Sequence, residues 1–256
     1  IEALWVYLSD GRQARVPRGL IREPIELLAG DEAVMLRRNY QGIGKRGIGV
    51  GLPGGVNFAY DARQMRLAMI WKGKFADPGA AWRGQGSGTV RPLGTDLQRF
   101  AAGFELGPSV RTPESQPTQV NELRPTSHRF TGYSLDDLQR PTFTYRYLDI
   151  EVEDRIVDVI GPHEAVHQVP AGGKAMLQRT LRFESPQSHE NLVFRLRSDQ
   201  EISSEDTNVF RLGRDLQIHV DSQHEARIVD SEGERHLIVP LDLPAGQTTL
   251  VLNYVW

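Results

Sequence analysis

The chain has no cysteine. Within these 256 residues that excludes disulfides, thiolate zinc sites, cysteine nucleophiles and covalent attachment of a c-type haem. It leaves the compartment open, because a large β domain needs no disulfides to be stable outside the cell. Long apolar runs are also missing: none approaches the roughly 18 residues that a membrane helix requires. No signal peptide is visible, but the first residue is Ile1 rather than Met. That start predicts a processed form or a piece of a longer protein, so the missing targeting signal excludes little. Nor is there an excess of one charge. Thirty Lys and Arg against 33 Asp and Glu give a net charge of -3, with no global pull toward nucleic acid or acidic lipid. Arginine far outnumbers lysine, but the arginines are scattered among acids and form no basic run.

What is present suffices for a real core, with 39% hydrophobic residues. The opening "IEALWVYLSDG" places apolar residues at 1, 4, 5 and 8, which is helical spacing, and stops at Ser9-Asp10-Gly11. "RVPRGLIREP" then reads as a linker, with prolines at 17 and 24. Residues 1–24 are therefore expected to be a terminal helix and linker left from a preceding domain, and residues 25–256 one large β domain. Beyond Pro24 short alternating runs are separated by Gly, Pro, Asn and Asp, as in an all-β sandwich or barrel. The clearest predicted strands cover 47–52, 55–62, 65–73, 128–136, 141–149, 150–160, 175–185, 191–199, 215–222, 235–243 and 248–256. "LDDLQRPT" and "VDSEGERH" carry hairpin-turn residues, and "GTDLQRFAAG" (94–103) predicts one short helical turn. A glycine-rich stretch (71–94) reads as a long ordered loop, because two tryptophans and a phenylalanine favour packing. A proline-rich stretch (107–128) reads as a mobile surface connection.

One motif names a reaction. "GPHEAVHQVP" contains His163, Glu164 and His167 in H-E-x-x-H spacing, which on a helix holds zinc between two imidazoles with the glutamate as general base. Pro162 and Pro170 bracket it and leave room for only about two turns. On a strand the histidines would lie about 13 Å apart, too far for one tetrahedral ion. A polar hairpin loop is the favoured reading, and a zinc hydrolase through these residues the least favoured.

A second constellation joins Asn57, Tyr60, Asp61, Arg66, Trp71, Phe75 and Trp82. Aromatic rings beside Asn, Asp and Arg suit a sugar, whose apolar face stacks on a ring while polar groups orient its hydroxyls. The competing reading makes Tyr60, Trp71 and Phe75 core residues of adjacent strands. "GLPGGV" (51–56) lacks the order of a phosphate-binding loop and predicts a tight strand turn. Asp136-Asp137 and Glu151, Glu153 and Asp154 are carboxylates that could act as acid and base on a glycoside.

The residues "NFAYD" (57–61), "RLAMIWKGKF" (66–75), "WRGQG" (82–86) and "FTGYSLDDLQRPTFTY" (130–145) occur in this order. Together they resemble a domain of large multidomain c-type cytochromes from planctomycete and verrucomicrobial bacteria. The likeness spans roughly residues 1 to 185 and is most specific in the middle. The opening segment is similar to the terminal helix of a cytochrome c domain, which places the haem-bearing C-x-x-C-H upstream of residue 1. The resemblance implies an exported, periplasmic or cell-surface protein with a redox partner, and a c-type haem outside these residues. It supplies no catalytic residues for the β domain.

The expected fold is thus a large antiparallel sandwich, of the two-sheet kind found in mutarotase-like domains, behind a short N-terminal helix. The expected function is a non-catalytic accessory domain of an exported c-type cytochrome protein, for redox-partner docking or carbohydrate recognition. The alternative is a carbohydrate-active hydrolase, lyase or epimerase. Neither nucleic acid nor membrane insertion is expected.

Overall fold

The structure, a computed structural model, describes residues 3–7, 13–17, 23–83, 88–109, 127–159, 176–231 and 234–256. Its largest element is an antiparallel eight-stranded sheet. From one edge it runs through β11 (His128–Leu135), β12 (Pro141–Tyr147), β13 (Ile150–Asp158) and β14 (Met176–Ser185). It continues through β21 (Gly246–Val255), β18 (Leu216–Val220), β17 (Val209–Leu212) and β16 (Ile202–Asp206). Burial along β12 to β14 alternates residue by residue. That is the mark of a sheet with one face on a core and one in water.

Two smaller sheets form the opposing layer. One has five strands in the order β3 (Val34–Tyr40), β4 (Gly44–Gly51), β5 (Val56–Asp61), β6 (Arg66–Lys72) and β9 (Thr95–Arg99). The other has four, β10 (Leu106–Pro108), β15 (His189–Arg197), β20 (Glu234–Leu243) and β19 (Arg227–Ser231). A single core joins the layers, with Phe58 and Tyr60 from β5 meeting Phe143 from β12. Tyr60 and Phe143 stack at 4.0 Å between centroids. Burying each such ring stabilises the fold by about 1.5–3 kcal/mol. The all-β sandwich is therefore observed.

β5 and β6 are buried along nearly their whole length, because the five-stranded sheet is covered on both faces. Its inner face supplies Ile48, Val50, Phe58 and Ile70 to the sandwich core. Its outer face carries a second cluster, Leu36, Tyr40, Ala59, Met69, Trp71, Phe75, Ala76 and Val90. The glycines of β4 make room for it. A Cβ on Gly49 would lie 2.0 Å from the Tyr40 hydroxyl oxygen, and one on Gly51 would lie 2.7 Å from the Phe75 ring.

Several expectations are corrected. The opening segment is no helix: β1 (Ala3–Tyr7) pairs antiparallel with β2 (Gln13–Pro17). Over so few residues the apolar spacing does not separate the two periods, and Trp, Val and Tyr favour strands. Residues 95–99 form strand β9, hydrogen-bonded to β6, where a helical turn was expected. The expected 71–94 loop contains α1 (Gly79–Arg83) and a ribbon of β7 (Ala76–Asp77) with β8 (Arg91–Pro92). "GLPGGV" is the β4–β5 turn, closed by the Gly55 amide donating to the Leu52 carbonyl at 3.0 Å. No helix among the described residues is long and apolar enough to cross a membrane.

Candidate functional site

The seven residues read as a sugar site divide among three environments. Tyr60 lies on the inner face of β5, sealed in the sandwich core. Asp61 and Arg66 close the β5–β6 turn. Asp61 Oδ1 accepts from the amides of Arg63 (2.9 Å) and Gln64 (3.3 Å), while Arg66 Nη1 donates to the Phe100 carbonyl at 3.0 Å. The two side chains pair at 3.6 Å. Burial pushes the Asp61 carboxyl up, against the opposing pull of the Arg66 charge. Asn57, Trp71 and Phe75 belong to the outer face. Asn57 Nδ2 donates to the carbonyls of Trp71 and Gly73, and Trp71 Nε1 donates to those of Lys74 and Phe75. Trp71 and Phe75 stack at 5.9 Å. These rings are buried on both sides and have no free face for a sugar, so the core reading describes them.

Trp82 is different: it is 47% exposed. It stands on α1, in the stretch between Ala76 and Val90, both of which pack in the outer cluster of the five-stranded sheet. Asp77 organises the mount. Its Oδ1 accepts from the Gly79 amide at 2.8 Å, at the start of α1, and from the Ile25 amide at 3.0 Å. Its Oδ2 pairs with Arg91 at 3.2 Å. Arg83 donates to the Glu23 carbonyl at 2.9 Å, and Lys74 pairs with Glu26 at 2.8 Å. An indole held this way, with charged groups anchored around its base, offers a stacking face at small ordering cost.

The carboxylates considered for glycoside chemistry are mostly engaged. Asp136 accepts from the amides of Leu138 and Arg140 and pairs with Arg140 (2.8 Å) and Arg155 (3.0 Å). Burial would raise its carboxyl, but these hydrogen bonds and the two guanidiniums outweigh that and hold it at about 2. Glu151 pairs with Arg146, and Glu153 with Arg182. Asp154 is wholly buried. Its Oδ1 accepts from Arg179 Nε at 2.8 Å, and its Oδ2 accepts from Nη2 at 2.6 Å.

Arg179 also grips Glu105, from the opposing layer, at 3.0 and 2.5 Å, and its guanidinium lies 5.3 Å from the Phe194 ring centroid. Burial would lower the Arg179 pKa, but the Asp154 and Glu105 charges more than offset this and hold its proton tightly. The hydroxyls of Tyr60 and Tyr145, both completely buried, find no hydrogen-bond partner among the described residues. Burial raises both phenols first, and the neighbouring Asp154 charge adds to it. This interior network was not foreseen. Its signal was Arg179 standing in the inward alternation of Leu177, Leu181 and Phe183.

His163, Glu164 and His167 lie outside the described residues. Among the described residues no group of three His, Asp or Glu side chains could hold a metal ion. Neither a family model nor a curated protein matches this chain.

Proposed function

We propose that this chain is a non-catalytic accessory domain for carbohydrate recognition, within an exported c-type cytochrome protein whose haem sits elsewhere in the polypeptide. The observation that carries the recognition reading is Trp82, an exposed indole on a braced mount. Binding is favoured over glycoside hydrolysis because four of the five candidate carboxylates, Asp136, Glu151, Glu153 and Asp154, are matched to arginines, which leaves the exposed Asp137 with no second free carboxyl among them. A hydrolytic pair needs one carboxyl free to give a proton and another free to act on the sugar or on water. The haem-protein context rests on the sequence resemblance.

A glycan-binding screen with wild type and Trp82→Ala tests the recognition reading. The substitution should weaken binding about tenfold or more, since a lost stacking face costs on the order of 1.4 kcal/mol or above. The melting temperature should fall by no more than a few degrees, because about half of the ring is already exposed. Unchanged glycan binding in the variant, or no glycan bound by the wild type, would overturn it. An oxidised-minus-reduced absorption spectrum of the complete gene product tests the context. A sharp c-type haem band is expected, and its absence in folded protein removes that part.

A further inference from the structure

An ionic joint ties the two layers together inside the core. Asp154 on β13 and Arg179 on β14 belong to the eight-stranded sheet, while Glu105, one residue before β10, comes from the opposing layer. The Arg179 and Asp154 side chains are 0% exposed and that of Glu105 is 5% exposed. Two carboxylates thus share one guanidinium out of reach of water. Nε donates to Asp154 Oδ1 and Nη1 to Glu105 Oε1. Nη2 donates to an oxygen of each acid, Glu105 Oε2 at 2.5 Å and Asp154 Oδ2 at 2.6 Å. A single nitrogen therefore draws the two acids together.

Fully ionised, this joint would keep one negative charge in excess, and the groups around it do not offset that charge. Arg66 on β6 acts on Glu105, but it is paired with Asp61 at 3.6 Å, donates to Gln64 and the Phe100 carbonyl, and feels Asp199 as well. Tyr60 from β5, Tyr145 from β12 and Tyr254 from β21 face the joint, and burial raises all three phenols, so they stay neutral. The hydroxyls of Tyr60 and Tyr145 reach no partner among the described residues. Phe194 on β15 presents only a ring. His128 on β11, at the Leu106 carbonyl, is pushed down to about 4 by burial and carries no charge at pH 7. An unmatched charge held away from water is strongly disfavoured, and an acid so placed keeps its proton instead.

We propose that Glu105 and Asp154 share one proton in the folded protein at neutral pH, and that its loss loosens the joint between the layers as pH rises. With that proton in place one carboxylate balances Arg179 and the other is neutral, so the interior carries no net charge. The direction at Glu105 agrees: burial pushes its carboxyl up against the opposing pull of the Arg179 charge and hydrogen bonds. A proton retained on folding sets the sign. The folded state holds more protons than the unfolded chain, so this stability is fully present below about 4.5 and is lost as pH rises through the folded value. Above pH 7 His128 adds almost nothing, being neutral in the folded chain and mostly so in the unfolded one.

Carbon-13 NMR of the side-chain carboxyls, on the whole chain labelled at Asp and Glu, reads the proton directly. At pH 7 one carboxyl signal should sit at its protonated position. Glu105→Gln and Asp154→Asn each leave a single acid against Arg179, which then ionises, so that signal should vanish in both variants. The proposal falls if no protonated signal disappears in both. A signal that survives both belongs to another acid, such as Asp61, whose carboxyl burial also raises. Urea unfolding between pH 7 and pH 8.5 gives a second readout. The folding equilibrium constant of wild type should fall by up to about tenfold per pH unit, and that of either variant should stay level. If neither variant folds, the wild type alone decides, and a stability that does not change over this range overturns the proposal.

Discussion

Strands β13 and β14 carry an arginine–carboxylate pair on each face. On the outward face Arg182 lies directly opposite Glu153, with both side chains about half exposed and the pair 3.2 Å apart. On the inward face Arg179 reaches diagonally to Asp154 with neither side chain exposed, and Glu105 closes on it from the other layer. The chemistry is the same and the strands are the same, yet the cost of breaking the two pairs is expected to differ several-fold. In water an ion pair gives little, because solvation and salt compete for each charge. Inside, the charges have given up their water and depend on one another.

The largest effect that would sharpen this contrast is Arg179→Met. It strands two acids in the core and should cost about 3–5 kcal/mol, read as a lower urea midpoint. Replacing Arg179, Asp154 and Glu105 together by apolar residues of similar size should recover most of that loss. If the triple variant is no better than the single, the network is needed for packing geometry and not merely for charge balance.

A smaller effect concerns His128, at the edge of the same sheet. It stacks on Phe104 at 4.1 Å, and its Nε2 lies 2.9 Å from the Leu106 carbonyl oxygen. Burial pushes the imidazole down to about 4, despite that hydrogen bond. The folded state thus favours the neutral ring, and the unfolded chain binds the extra proton between pH 6.5 and about 4. Stability should be fully present above pH 6.5 and fall, by up to roughly 1.4 kcal/mol per pH unit, as pH drops through that window. Urea midpoints at pH 7 and 5 should differ more for wild type than for His128→Phe. Equal differences would remove His128 from the account.

Arg182→Ala breaks the outward pair and should change stability by less than about 1 kcal/mol. A loss as large as that of Arg179→Met would erase the distinction between the two faces. Smallest of all is Tyr145→Phe. It deletes a buried hydroxyl that has no partner among the described residues, so thermal unfolding should show no loss and a gain of up to about 1 kcal/mol.

The central strands were legible because alternation in "PTFTYRYLD" and "AMLQRTLRFES" is uninterrupted, and each lies within a residue or two of its expected place. β3 was missed because Arg37 and Arg38 follow one another and hide the period. β9, β10, β16, β17 and β19 are short strands, several at or next to sheet edges, defined by the partners they pair with more than by their own residues. The sugar-site constellation was legible as a group of neighbours in sequence but not as a site. β5 alternates between two covered faces, which sends Tyr60 one way and Asn57 the other.

By itself the sequence determined that the chain is a cysteine-free, antiparallel β protein, because a side-chain period of two is written locally. It also determined which side of its own strand Arg179 would occupy. Tertiary structure alone decided that this side is a closed interior. Glu105 stands 74 positions from Arg179 and meets it only when the layers pack. The same holds for Trp82. The sequence supplied an indole in a glycine-rich stretch, and Asp77 and the 23–27 segment then held it at the surface while Trp71 went inside. Strand periodicity acts over a few residues, whereas exposure depends on which distant layer arrives to exclude the water.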